Sequence, residues 1–189
     1  MDREIVPVTA EEAPSICQAL KLGGGWEYDT AAFAKVEYYP SGQIKNMVYL
    51  DKDLKRVHDG TGTLEYESYF ENGTISKRDY STSEEYVEAY FAAGGTGILD
   101  SYSGYYPSGA LRFVGYWEKT PEDGKIRQIN IEYYENGVKF SRESLNLARQ
   151  PDDSPNHFAW ETYDRKGRGT EALSFKDGVR QPDWPYTIY

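Results

Sequence analysis

The 189-residue chain has one cysteine, Cys17, two histidines, His58 and His157, and no long apolar run. A single thiol excludes an internal disulfide, and one Cys with two separated His excludes a His/Cys zinc cluster. A membrane-spanning helix needs roughly 18 consecutive apolar residues, and no stretch approaches that. Met1 to Val8 lacks the apolar segment of a secretory signal, so the sequence reads as soluble, uncleaved and cytoplasmic. Cations are the minority, 21 Lys and Arg against 31 Asp and Glu, for a formal charge of −10. Nucleic-acid affinity rests on cations that neutralise phosphates, which argues against DNA or RNA as a ligand. No Gly-rich loop stands between a strand and a helix, and neither a cofactor nor a metal is implied.

What the chain has in quantity is tyrosine, 18 copies against 7 Phe and 4 Trp. Many of these aromatics fall in a repeat. It reads Tyr38-Tyr39-Pro40-Ser41-Gly42, Tyr69-Phe70-Glu71-Asn72-Gly73, Tyr105-Tyr106-Pro107-Ser108-Gly109 and Tyr133-Tyr134-Glu135-Asn136-Gly137. A weaker fifth copy is Tyr163-Asp164-Arg165-Lys166-Gly167, and Phe175-Lys176-Asp177-Gly178 is a stub of a sixth. The glycines at 42, 73, 109, 137 and 167 are spaced by 31, 36, 28 and 30 residues.

The unit has the chemistry of a β-hairpin. Pro-Ser-Gly and Glu-Asn-Gly suit a connection in which a type I turn is followed by a left-handed Gly. The aromatics before it favour strand. β-compatible residues follow each Gly: Gln43 to Leu50, Thr74 to Tyr80, Ala110 to Trp117 and Val138 to Leu145. Asp59 to Gly62 and Pro121 to Gly124 are further turn signals. The expectation is a mainly β protein: an antiparallel meander of repeated hairpins forming a curled single sheet, with one or two short helices.

One helix is predicted within Thr9 to Leu22, with Thr9 and Glu12 as a capping box and Gly23-Gly24-Gly25 as a stop; Pro14 makes it short or starts it at Pro14 itself. The other spans about 82–93, capped by Ser81 or Thr82, with Glu84 and Glu85 in its first turn and Gly94-Gly95 at its end. This insertion accounts for the longest interval. The chain divides into an N-terminal helix and linker (1–33), a repeat domain (34–178) and a tail (179–189).

The repeat resembles the variant-2 MORN motif, a pair of aromatics, turn residues that include Asn, and Gly. Tyr133-Tyr134-Glu135-Asn136-Gly137 is nearest to it, and the resemblance covers roughly residues 34 to 178. MORN units usually recur every twenty-odd residues, so the longer intervals imply extended strands or inserted turns. The resemblance implies a curled antiparallel sheet, and many small bacterial members look like antitoxins or immunity proteins that bind a toxin.

Strand alternation separates two faces. Arg127, Ile129, Ile131 and Tyr133 form a mostly core face, opposite Ile126, Gln128, Asn130, Glu132 and Tyr134. In Thr63 to Phe70 the set Leu64, Tyr66, Ser68 and Phe70 opposes Thr63, Glu65, Glu67 and Tyr69. The apolar set has changed sides, by a bulge or because both faces are partly covered.

Catalytic constellations are thin. Glu65 with Glu67, or Glu132 with Glu161, are residue types for paired-carboxylate chemistry, but read better as solvated strand faces. His157 with Asp152, Asp153 and Ser154 lies in one loop, whereas triads are assembled from separated parts of a fold. Cys17 reads as a small buried hydrophobe. Asp51-Lys52-Asp53 begins like a calcium loop but lacks its Gly and terminal Glu.

No catalytic or metal-binding residue is therefore assigned. The expected function is non-catalytic protein binding, an immunity protein or antitoxin that masks a basic toxin, with Glu65, Glu67, Tyr69, Tyr106, Trp117, Glu132 and Tyr134 at the interface. A carbohydrate- or cell-envelope-binding module is one alternative, and a phage-type acidic inhibitor of a nucleic-acid-binding enzyme is another.

Overall fold

The computed structural model describes residues 3–8, 31–57, 63–80, 82–96, 98–121, 124–147 and 157–181. The helix expected over Thr9 to Leu22 lies outside these residues, as do Cys17, His58 and the Asp152 to Ser154 loop. Twelve strands follow in order among the described residues: β1 (Arg3–Pro7), β2 (Phe33–Tyr38), β3 (Ile44–Leu50), β4 (Leu64–Tyr69), β5 (Ile75–Tyr80), β6 (Ile98–Tyr105), β7 (Leu111–Lys119), β8 (Ile126–Tyr133), β9 (Lys139–Asn146), β10 (His157–Tyr163), β11 (Gly169–Lys176) and β12 (Val179–Arg180). Each strand pairs antiparallel with the next, and β1 and β12 are the two open edges of one sheet. The chain is a mainly β antiparallel meander of hairpins, as its repeat indicates. β1 and β12 carry the sheet beyond residues 34–178 at both ends.

The five motif copies close the hairpins β2–β3, β4–β5, β6–β7, β8–β9 and β10–β11. In each the residue before the turn donates its N–H four residues ahead and accepts from the Gly, as in Tyr106 N–H to Ala110 O and Gly109 N–H to Tyr106 O, both 2.8 Å. The closing glycines have φ of +84°, +83°, +86°, +81° and +79°, a conformation that a Cβ penalises. The stub at Asp177-Gly178 is a tighter two-residue turn, with φ positive at both positions (52° and 73°). Asp51-Lys52-Asp53 is also a turn: Asp51 Oδ1 accepts the N–H groups of Asp53 and Lys55 at 2.8 and 2.9 Å, and Leu54 takes the left-handed position.

Each hairpin also carries a bulge. Tyr105 pairs with Leu111 but Gly104 pairs with Phe113, which leaves Arg112 over. By the same count Lys45, Ser76, Phe140 and Thr170 are the extra residues of the other four hairpins. Such a bulge strengthens the local twist and switches the faces of the residues beyond it. A further bulge at Glu65 settles the reading of β4. Leu64 pairs with Tyr80 and Tyr66 with Asp79, so Leu64 lies on the same face as Glu67.

The helix is α1 (Glu84–Ala92), in the connection between β5 and β6. Its N-cap is Ser83 rather than Ser81 or Thr82: Ser83 Oγ accepts from Tyr86 N–H at 3.2 Å, while the Thr82 hydroxyl is engaged by Ser101. Glu84 and Glu85 sit in the first turn, where the helix dipole favours anions. Gly94, at φ +87°, turns the chain out of the helix. No helix among the described residues is long and apolar enough to cross a membrane.

Residues paired across strands share a face, which gives the sheet a helix-bearing face and an opposite face. On the first, Tyr86, Val87, Tyr90 and Phe91 of α1 cluster with Leu99, Trp117 and Leu147. On the second, Ala34, Val36, Tyr49 and Leu64 form the other core cluster. Ile129 and Ile131 are also buried on the opposite face, as the alternation of β8 implies. A fully buried Val87, Leu99 or Ile129 stabilises the fold by about 1.5–3 kcal/mol.

Candidate functional site

Three surfaces carry the residues that the sequence singles out: the hairpin edge, the helix-bearing face beyond α1, and a buried carboxylate on the opposite face.

At the hairpin edge the motif residues hold one unit to the next. The hydroxyls of Tyr39, Tyr106 and Tyr134 donate to the backbone carbonyls of Tyr69, Tyr133 and Tyr163, at 2.9, 2.9 and 3.1 Å. Asn72 accepts Thr74 N–H within its own turn and donates to Pro107 O in the next, at 3.0 Å each. Asn136 repeats this with Val138 N–H and Arg165 O, at 3.1 and 3.3 Å. The predicted contact residues Tyr106 and Tyr134 therefore have their hydroxyls committed to stacking. Their rings are half-buried: Arg112 lies over Tyr106, and Arg165 and Phe140 lie against Tyr134.

On the helix-bearing face, the registers align one row across eight strands: Tyr66, Asp79, Tyr102, Gly115, Asn130, Glu143, Trp160 and Leu173. Its side chains are half-buried. At about 4.8 Å per strand the row runs roughly 34 Å. Tyr102 donates to Asn130 Oδ1 at 2.8 Å, and Asn130 Nδ2 donates to Glu143 Oε2 at 3.0 Å. Two glycines let the aromatics lie flat: the Tyr102 ring covers Gly115 and the Phe113 ring covers Gly104, each where a Cβ would collide. Burial, and secondarily the charge of Glu143, pushes the Tyr102 pKa up, so this phenol is a neutral donor at ordinary pH. Glu132 is exposed in the adjacent row, across from Phe113 and Ser141.

Glu67, only 5 % exposed, is the centre of the third site. Arg78 Nε donates to its Oε1 at 2.7 Å, and the hydroxyls of Tyr49 and Tyr69 donate to Oε2 at 2.9 and 3.1 Å. A carboxylate so enclosed is stabilised by its partners and offers little to a second molecule. Burial first, then the Glu67 charge, pushes Tyr69 up to about 12 and raises Tyr49 further. A cavity of about 300 Å3 opens beside the cluster.

Of the other predicted contacts, Trp117 is 7 % exposed and belongs to the core under α1. Glu65 is the bulge residue of β4 and pairs with Arg56, so Glu65 and Glu67 do not act as alternate residues of one strand face. Tyr69 is half-buried against Glu67 and Met47. Glu132 and Glu161 lie on opposite faces, because Glu161 pairs with Arg142 and Arg142 with Ile131, so they do not form a carboxylate pair. No group of three His, Cys, Asp or Glu is gathered for a metal among the described residues.

Sequence reasoning missed Arg78, Tyr49 and Tyr80 around Glu67, and Tyr102, Asn130, Glu143 and Trp160 along the row. Only register brings these residues together, and the bulges that set the register have no residue-type signature. No family model matches the chain, and no curated protein matches it.

Proposed function

We propose that the chain is a non-catalytic, cytoplasmic binding protein that masks a basic protein partner, in the manner of an immunity protein bound to a toxin, through the helix-bearing face beyond α1. The observation that supports this reading is the row from Tyr66 to Leu173, where half-buried aromatics alternate with the carboxylates of Asp79 and Glu143. Aromatic anchors supply contact area with few rotatable bonds, and an acidic surface steers a basic partner toward it. The formal charge of −10 adds long-range attraction. Asp79 holds Lys77 beside it at 2.7 Å, while the other acid of the row, Glu143, accepts from the neutral amide of Asn130. The MORN-like repeat, with its antitoxin-like members, agrees with this reading.

The test is affinity purification from the encoding organism, followed by calorimetric titration of the recovered protein at two salt concentrations. A basic partner is expected, with binding that weakens as salt rises and falls about tenfold or more in Trp160→Ala. Recovery of no stoichiometric partner at low salt, or unchanged affinity in Trp160→Ala together with Glu143→Gln, overturns it.

A further inference from the structure

The cavity beside Glu67 lies on the face opposite the row, so its chemistry is independent of the partner reading. Its volume, about 300 Å3, is at the small end of ligand pockets, which run from about 300 to 1,000 Å3. Val6, Ala34, Met47 and Leu64 supply apolar walls, and Arg78 and Tyr80 stand among them.

What these polar groups have left to offer defines the ligand. Glu67 already accepts three of about four possible hydrogen bonds, from Arg78, Tyr49 and Tyr69, and is only 5 % exposed, so the carboxylate has little left for a cation. Arg78 spends only Nε on Glu67, which leaves the donors of its two terminal nitrogens. The Tyr80 hydroxyl has no hydrogen-bond partner among the described residues. Burial and the neighbouring Asp100 raise its pKa, which keeps it a neutral donor. The cavity therefore presents spare donors on Arg78 and Tyr80, little acceptor capacity on the buried Glu67, and an ion pair already neutral. An anionic ligand would have to approach Glu67 within a strongly acidic protein.

We propose that this cavity binds a small uncharged molecule with an apolar ring or chain and a carbonyl oxygen that accepts from Arg78 and Tyr80. The ring fills the space between Val6, Ala34, Met47 and Leu64, and the carbonyl lies toward β5.

Benzamide, benzoate and benzylammonium share a ring and differ in the charge of the polar group. Each is titrated into the full chain and followed by amide chemical shifts. Saturable millimolar binding of benzamide, the range for so small a ligand, is expected, with shifts at Ala34, Met47, Leu64 and Tyr80. Benzoate and benzylammonium are expected to bind several-fold more weakly. Tyr80→Phe removes only the unpartnered hydroxyl, leaves the Glu67 cluster intact, and is expected to weaken benzamide about two- to tenfold. Glu67→Gln with Arg78→Gln removes the ion pair as a unit and is expected to lose more. Absence of saturable benzamide binding, tighter binding of either charged probe, or equal affinity in wild type and Tyr80→Phe overturns the proposal.

Discussion

The Tyr106 hydroxyl donates to the backbone carbonyl of Tyr133, 2.9 Å away and 27 residues along the chain, and so ties one hairpin to the next. Tyr39 and Tyr134 make the same tie, while the matching position between them is Phe70, which has no hydroxyl. Tyr106→Phe and Tyr134→Phe should each lower stability by about 1 kcal/mol, and Phe70→Tyr should raise it by about 0.5 kcal/mol by supplying the missing tie. Urea midpoints at constant m-value measure all three. A neutral result at both tyrosines would mean that their hydroxyls bond water equally well.

Glycine matters here for two separate reasons. At Gly104 a Cβ would lie 2.2 Å from the Phe113 ring, and at Gly115 it would lie 2.4 Å from the Tyr102 ring. Alanine at either site should cost about 1–3 kcal/mol through crowding, with partial recovery in Gly104→Ala when Phe113→Val removes the ring. Gly137 faces open space, yet its φ is +81°. Gly137→Ala should cost about 1–2 kcal/mol through backbone strain alone, and no neighbouring substitution should rescue it. Thermal unfolding of the single and double variants separates the two causes.

Glu67 holds three donors in place from the interior of the sheet. Glu67→Ala should destabilise by about 3 kcal/mol, because it leaves Arg78 without its anion. Glu67→Gln should cost less, since it still accepts hydrogen bonds. Combining Glu67→Ala with Arg78→Met should recover much of the loss, and a double-mutant cycle reads the coupling.

The tyrosines around Glu67 make the fold sensitive to alkali. Burial, then the Glu67 charge, holds Tyr69 at about 12 in the native state against an ordinary value near 10, and Tyr49 lies higher still. The unfolded chain therefore releases these protons first as pH rises. The stabilisation is complete below about pH 10 and is lost as pH climbs through about 12 for Tyr69. Urea denaturation at intervals above pH 9 should show falling stability, and Tyr69→Phe should flatten that fall.

The hairpins were legible because their chemistry is local. Glu-Asn-Gly and Pro-Ser-Gly can close a turn in few ways, and each Gly takes the left-handed backbone that this requires. The helix was legible to within a residue or two at its start; Thr82 lost the capping role because a distant partner, Ser101, takes its hydroxyl. The bulges were not legible. Lys45, Ser76, Arg112, Phe140 and Thr170 share no chemistry, only a place three residues after the turn glycine. Each bulge switches the faces beyond it, so the environments of Glu65, Glu67 and Glu161 could not be counted out from the motif. Trp117 looks like an interface anchor by type, and it is a core residue because α1 lies across it.

In a sheet whose strands stand in chain order, every ladder joins immediate neighbours. Such a molecule has no keystone: its rims can fray while its middle persists, and whole hairpins could be gained or lost without rethreading the rest. Amide exchange should be fastest at β1 and β12 and slowest near Leu99 and Ile129, whose side chains are fully buried on the two faces of the sheet's middle.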